Sequence, residues 1–315
     1  MEDTYSELAM PSSSSGAKQN RMSPDDMYSL PHLQKLVDRH LRTLVPATHL
    51  EPHSLHAALS YSLLAPGKRL RPLLTMLTYF HFGRSDLAAL DVACAIEMVH
   101  AASLVIDDLP AMDDSNLRRG QPTAHRKFGE DIAILSGIAL LNQAYAVVAN
   151  SPGLRSETQI DLMRLLCGAV GSEGLIGGQV MDLKLRGDAV EDQQLLKLNE
   201  LKTSALFVAA AEAGARIADA SAEELMHVRK FAMDLGAAFQ IADDLMDDPS
   251  FAGKTGKDTG KDATKPTLAS RCGRDEAIAL RDKYLLSAKQ HLCAFGDRDG
   301  PLARLLDFSF EKAST

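Results

Sequence analysis

Two groups of carboxylates occupy places where acids are seldom left. Asp107-Asp108-Leu109-Pro110-Ala111-Met112-Asp113-Asp114 follows a long apolar run over 88–106, and Asp243-Asp244-Leu245-Met246-Asp247-Asp248 follows a second apolar helical pattern. Acids at the end of a buried helix are paired or bound to a cation, because an isolated charge is expensive to desolvate. Asp243 and Asp247 are spaced i,i+4 and share one helix face, with Asp244 beside them. Asp107 and Asp113 are six apart, a spacing that an ideal helix does not put on one face. Pro110 removes a backbone donor, so a local unwinding is expected to bring Asp113 back beside Asp107. Carboxylates without histidine select hard cations, above all Mg²⁺, which binds a few carboxylates together with substrate phosphates. One Asp pair alone reads as a solvated helix end. Two clusters, each behind an apolar helix, read as a shared cation site.

The cations fit the same chemistry. Lys68 and Arg71 stand in Gly67-Lys68-Arg69-Leu70-Arg71-Pro72, just before an apolar stretch. Arg118 and Arg119 stand in a turn closed by Gly120, and Lys202, Lys257 and Lys265 come from separate later segments. Arginine suits bidentate phosphate contacts. Singly these are surface charges. Together with the acids they could flank two diphosphates, one held through Mg²⁺ and one held directly.

These groups need rigid elements to hold them. The 315 residues are 45% hydrophobic and only 5% aromatic, with no Trp, a balance that favours helix packed on helix. Helical patterns run over 33–41, 55–64, 73–80, 88–106, 131–149, 156 onward, 199–211, 221–246 and, as two helices, 275–313. The 131–149 pattern is apolar nearly all round and is expected in the interior. Ser156-Glu157-Thr158-Gln159 and Ser221-Ala222-Glu223-Glu224 look like helix starts, as does Ser23-Pro24-Asp25-Asp26. The glycines at 168, 171, 174, 177 and 178 call for close packing or a break. No strand alternation stands out. Residues 1–23 read as a disordered tail, 251–266 as a mobile loop beside the second acidic cluster, and 24–315 as a single all-α domain.

The net charge of −8 argues against nonspecific nucleic-acid binding. Four widely spaced cysteines fit a reducing cytosol. Acids and amides interrupt the most apolar segments, so no transmembrane segment is expected.

The motifs DDLPAMD and LRRGQPTAH, with GKRLRP upstream, GGQVMDL and LKT in the middle and FQIADDLMD downstream, resemble the trans-prenyl diphosphate synthase family. They span about residues 67–268 in the family's order, and their wording is similar to short-chain geranylgeranyl diphosphate synthases of bacterial and plant type. The resemblance implies an isoprenoid-synthase bundle of about 10–13 helices round a deep apolar cavity. It implies that Asp107, Asp108, Asp113, Asp243, Asp244 and Asp247 bind about three Mg²⁺ on an allylic diphosphate. Arg118, Lys202, Thr203, Gln240 and Lys257 would hold that diphosphate. Lys68, Arg71, His100 and Arg119 would hold isopentenyl diphosphate, and Lys265 is a further candidate. Asp107, Asp108, Asp113, Lys202, Asp243 and Asp244 are the expected catalytic set. A lone His on an apolar helix is usually a core residue, but His100 matches the family's histidine. Two features depart from the family: the loop after the second cluster is short, which favours Lys257 over Lys254 or Lys261, and Ile106 stands where relatives often carry His. The family also implies a homodimer, and the cysteine usage a cytoplasmic location.

The implied reaction is ionisation of the allylic diphosphate and attack by isopentenyl diphosphate, lengthening the chain by five carbons. Product length should depend on the helix before Asp107. Farnesyl-making relatives tend to carry an aromatic four or five residues before this aspartate, where this chain has Ser103 and Ala102. One helical turn rises about 5.4 Å, near the length of an isoprene unit, so small residues here favour C20 over C15, with C25 also open. Val99 or Met98 would form the next barrier, with Ile138 and Leu141. Other readings are a terpene cyclase, disfavoured by the all-Asp second cluster, and a non-catalytic partner subunit of a heteromeric synthase, disfavoured by survival of both clusters. A di-iron bundle would need Glu-x-x-His pairs, and none lies at the clusters.

Overall fold

The computed structural model describes residues 28–185, 190–246 and 267–310. The tail, the Ser23-Pro24 helix start, Asp247, Asp248, the 251–266 loop, Lys257 and Lys265 lie outside the described residues.

The elements in order are α1 (Leu30–Thr43), α2 (His53–Leu63), α3 (Leu70–His81), α4 (Leu90–Asp107), a two-residue ladder β1 (Leu117–Arg118) and β2 (Gln121–Pro122), α5 (Ala124–Phe128), α6 (Glu130–Ala149), α7 (Ser156–Val170), α8 (Leu175–Lys184), α9 (Asp192–Asn199), a π-helical turn (Glu200–Ser204), α10 (Ala205–Ile217), α11 (Ala222–Met246), α12 (Leu268–Cys272), α13 (Arg274–Ala294) and α14 (Pro301–Phe310). The fold is all-α. Its principal core extends from Leu33 on α1 to Leu306 on α14. α4 is its axis: residues 90–99 are all buried, and the helix packs against α6 while α3 packs against α10.

Local sequence explains much of this. Arg69 precedes α3 with φ 53°, a conformation that L-residues rarely adopt. Its buried guanidinium is fixed by Asp38 at 2.8 Å, Glu97 at 2.7 Å and the Ala65 carbonyl at 2.8 Å. That anchorage sets where α3 begins and hence where Arg71 points. At α11 the Ser221 amide donates to Glu224 Oε2 at 2.7 Å and the Glu224 amide to Ser221 Oγ at 3.3 Å, completing the expected capping box. Ser156 does not play this part. α7 starts with Arg155 as the flanking residue and no side-chain cap.

Two sequence expectations are corrected here. The ladder Leu117↔Pro122, Arg118↔Gln121 is a minimal hairpin whose loop, Arg119-Gly120, has φ 54° and 75°, the left-handed pair that matches strand twist. It is too short to show alternation. The second correction is α6, which is not wholly interior: Ile134, Leu135 and Ile138 are 41%, 52% and 58% exposed. Among the described residues, α6 is the one helix long and apolar enough to cross a membrane, and 39% of that window is buried.

Candidate active site

α4 ends at Asp107, and the chain does not continue as a helix past Pro110. The Asp113 amide donates to the Asp107 carbonyl at 3.0 Å, and the Ser115 amide to the Asp108 carbonyl at 3.2 Å. This wide turn returns Asp113 beside Asp107, as the proline suggested, and both side chains line one large cavity. Asp114 has φ 45° and is exposed, 3.5 Å from Arg126, outside the cavity.

The cavity holds about 990 Å³. Its charged wall combines Asp107 and Asp113 with Asp243 and Asp244 from the end of α11, Arg118 and Arg119 from the hairpin, Arg71 from α3, His100 from α4, and Lys202 and Thr203 from the π-helical turn. Residues more than a hundred positions apart are thereby gathered on one surface. Its remaining wall is largely apolar, with Val99, Ala102, Leu141, Val170, Leu206 and Phe239 among its residues.

Lys202 sits between acids. Its Nζ is 2.6 Å from Asp182 Oδ2 and 3.6 Å from Asp107 Oδ2. Burial works against its charge, but the two carboxylates more than compensate and hold it above the usual lysine value. Asp107 is pushed up to about 6, by burial first and by Asp113 and Asp182 besides, with Lys202 pulling it the other way. A bound cation would offset that crowding of negative charge. The π turn widens the helix by one residue. Lys202 and Thr203, which an α-helix would point about 100° apart at 3.6 residues per turn, both reach the cavity. Gly178 permits this approach of α8, since a Cβ there would lie 2.5 Å from the Lys202 amide nitrogen. Thr203 donates to Gln240, whose Nε2 donates to Asp244 Oδ1 at 2.8 Å, so the π turn and the second acidic cluster are tied by one relay.

Arg71 stacks 4.3 Å from the centre of the Phe207 ring. Burial lowers it to about 10, and its buried Nε has no partner among the described residues. His100 is held well below the usual histidine value by burial and by Arg71, Arg119 and Arg118, so it is neutral and can still donate one hydrogen bond. Arg119 packs under Gly67, where a Cβ would meet its guanidinium at 2.7 Å.

Three sequence assignments are placed otherwise. Asp108 is buried and paired with Arg118, whose Nε is 3.0 Å from Oδ1 and 3.3 Å from Oδ2. It is not on the cavity wall, and the described residues hold no group of three or more His, Cys, Asp or Glu side chains that converge on a metal position. Lys68 donates to the Ser309 carbonyl at 3.1 Å, over the Phe308 ring, and is not on the wall either. Met98 is fully buried but belongs to the core side of α4. Val99, Ala102 and Ser103 face the cavity, because one residue of register turns a helical side chain by about 100° at 3.6 residues per turn.

The sequence reading missed Asp182 and Gln179. Both line the cavity, Gln179 with a buried carbonyl oxygen lacking a partner among the described residues. Their signal was the quoted GGQVMDL, in which they stand three apart, on one face of a helix.

An apolar chamber with carboxylates, arginines and a lysine along one wall defines an enzyme for a substrate with an anionic head and an apolar chain. Residues 52–270 match the family model described as polyprenyl synthetase, and the chain belongs to that family; it is a transferase of prenyl groups. It is 41% identical over 260 residues to a geranylgeranyl diphosphate synthase of Pantoea ananas, covering 82% of this chain and 85% of the relative. It is 39% identical to the farnesyl diphosphate synthase of Bacillus subtilis over 243 residues, covering 76% and 82%. A geranyltransferase from Helicobacter pylori, solved in complex with magnesium and isoprenyl diphosphate, superposes with a TM-score of 0.79 at 28% identity, covering 93% of this chain and 97% of that one.

Proposed function

We propose that this enzyme condenses isopentenyl diphosphate with allylic diphosphates to make C20 geranylgeranyl diphosphate. The observation that carries the product length is the continuation of the cavity past Ala102 and Ser103 to Val99 and Leu141. Neither Ala102 nor Ser103 carries a ring that could close it.

The donor set fits Mg²⁺. Asp107, Asp113, Asp243 and Asp244 are oxygen donors on one wall, with no soft ligand among them. These residues would hold the metal ions, about three by family likeness, with Asp247 extending the second set and Asp108 kept against Arg118 in this arrangement. Bound Mg²⁺ supplies charge neutralisation on the departing diphosphate. Lys202 and Arg118, with Thr203 and Gln240 behind them, bind and orient that diphosphate as the C–O bond breaks. Arg71, Arg119 and neutral His100 hold the isopentenyl diphosphate; Lys257 and Lys265 complete the cationic set assigned from the sequence, while Lys68 stays against the Ser309 carbonyl. The isopentenyl double bond attacks the allylic cation, and the released diphosphate takes the proton. The apolar wall keeps water from quenching the cation.

Residues 24–315 act as one domain on this reading, working as a cytoplasmic homodimer. The exposed Ile134, Leu135 and Ile138 on one stretch of α6 support association, since such apolar faces mark interaction sites. Four free cysteines support a reducing compartment. Pure protein incubated with isopentenyl diphosphate, each allylic primer and Mg²⁺ should yield C20. Ala102→Tyr should shift the product to C15, and unchanged product lengths in that variant would sink the floor assignment. Mainly C25 from the wild type would favour a deeper barrier, and no product at all a non-catalytic subunit.

A further inference from the structure

The two chemistry-bearing segments after α4 are joined by one buried side chain. Thr123, which precedes α5, is 1% exposed. Its amide donates to the Asn116 carbonyl at 3.0 Å, and its hydroxyl donates to the Ser115 carbonyl at 2.8 Å. Its own carbonyl accepts from the Arg126 and Lys127 amides, each at 3.1 Å. A hydroxyl has one proton, and here it is committed to Ser115. The contact of 3.1 Å between Thr123 Oγ1 and His125 Nδ1 is therefore an Nδ1–H donation, which fixes the imidazole tautomer.

Ser115 is the last link of the acidic turn, because its amide holds the Asp108 carbonyl at 3.2 Å. Asp108 in turn holds Arg118, and Arg118 pairs with Gln121 across the hairpin. From Thr123, then, one chain of bonds runs to the carboxylate turn and back through Asp108 to the arginine hairpin. On the other side of that hairpin the Tyr61 hydroxyl donates to the Pro122 carbonyl at 2.7 Å.

We propose that Thr123 is a positioning residue: its hydroxyl latches the Asp107–Asp113 turn to the Arg118–Arg119 hairpin and so sets the spacing between the metal-binding carboxylates and the diphosphate-binding guanidiniums. The inference rests on the metal and diphosphate reading above. Thr123 is not among the residues that line the cavity. Without its hydroxyl the Ser115 carbonyl and His125 Nδ1–H lose their partner, a loss that in a buried setting corresponds to about a ten-fold change in an equilibrium.

The test compares Thr123→Val, which keeps the shape and removes the hydroxyl, with Thr123→Ser, which keeps the hydroxyl. Two quantities are read on the full chain: the Mg²⁺ concentration giving half-maximal activity, and hydrogen exchange over residues 107–118. Thr123→Val should raise the Mg²⁺ requirement about ten-fold and quicken exchange at the Asp113 and Ser115 amides by a similar factor, whereas Thr123→Ser stays near wild type. Tyr61→Phe should move both quantities the same way by about two- to three-fold, and it carries the test if Thr123→Val fails to fold. Unchanged Mg²⁺ dependence and exchange in Thr123→Val, or in Tyr61→Phe in that case, would overturn the proposal. So would equal defects in the Ser and Val variants, which would make the methyl packing responsible. A wild type indifferent to Mg²⁺ would sink the metal reading instead, while the exchange measurement still decides the latch.

Discussion

Two of the places where this molecule combines buried acids with arginines are satisfied to different degrees. Beside the second, smaller cavity between α7, α10 and α11, Glu212 is 1% exposed and accepts from Arg216 Nε at 3.2 Å, from Arg216 Nη2 at 2.8 Å and from Arg229 Nε. Arg216 Nη1 also reaches Asp161 at 2.6 Å. Every bond there ends on another protein group, and its product is rigidity between three helices. Along the main cavity, by contrast, Arg71 Nε and Gln179 Oε1 are buried without partners among the described residues, and five carboxylates (Asp107, Asp113, Asp182, Asp243 and Asp244) line it with five cations (Arg71, Arg118, Arg119, Lys202 and Arg274) and a neutral histidine. Folding alone gives no return on such an arrangement. Charge that is saturated holds a structure together, and charge left partly unsatisfied awaits a ligand.

That contrast can be broken by mutation. The largest expected effect is at Lys202: Lys202→Met should lower kcat/KM by about 10²–10³, the usual result of removing one preorganised stabiliser of developing negative charge, with little loss of thermal stability. A fall of less than about ten-fold would place Lys202 among structural ion pairs. Glu212→Gln should do the reverse. It weakens charge-assisted bonds to two arginines and should cost about 2 kcal/mol of stability, read from denaturant unfolding, since bonds to charged groups contribute about 1.5–3 kcal/mol. Activity per folded molecule should stay within about two-fold; a large fall would mean the outer network reaches the chemistry.

The smallest effect sharpens the structural side of the comparison. His81 at the end of α3 faces the buried Asp297 at 3.3 Å and the Phe295 carbonyl at 2.9 Å, and the hydrogen bond to Asp297, opposed in part by burial, raises its pKa. A raised folded value means that the stability this pair contributes is complete below the unfolded value of about 6.5 and is lost as pH rises through the folded value. Melting temperature should therefore decline modestly above neutrality. His81→Gln should flatten that decline, and an unchanged slope in the variant would assign it to other groups.

How much was legible beforehand follows from the range of the interactions involved. The helices, the Ser221–Glu224 cap and the return of Asp113 beside Asp107 depend on neighbours within a few residues, which apolar period, cap residues and Pro110 encode directly. Assignment of Asp107, Asp113, Asp243 and Asp244 to one site required only that two similar clusters end apolar helices. The misplacements were those of direction. Met98 and Val99 differ by one residue of register, yet only Val99 meets the cavity. Lys68 and Arg71 come from one motif, but Lys68 turns to α14, which is sequence-distant.

By itself, then, the sequence determined an all-α chain with two acidic clusters, a set of cations and small residues at 102 and 103, because these are matters of residue type, period and order. Only the tertiary structure decided that Asp108 belongs to Arg118, that Asp182 steadies Lys202, and that α6 leaves an apolar face on the surface. Those outcomes depend on which distant helix arrives opposite each side chain. Local patterning restricts that choice, and the packing of the whole core settles it.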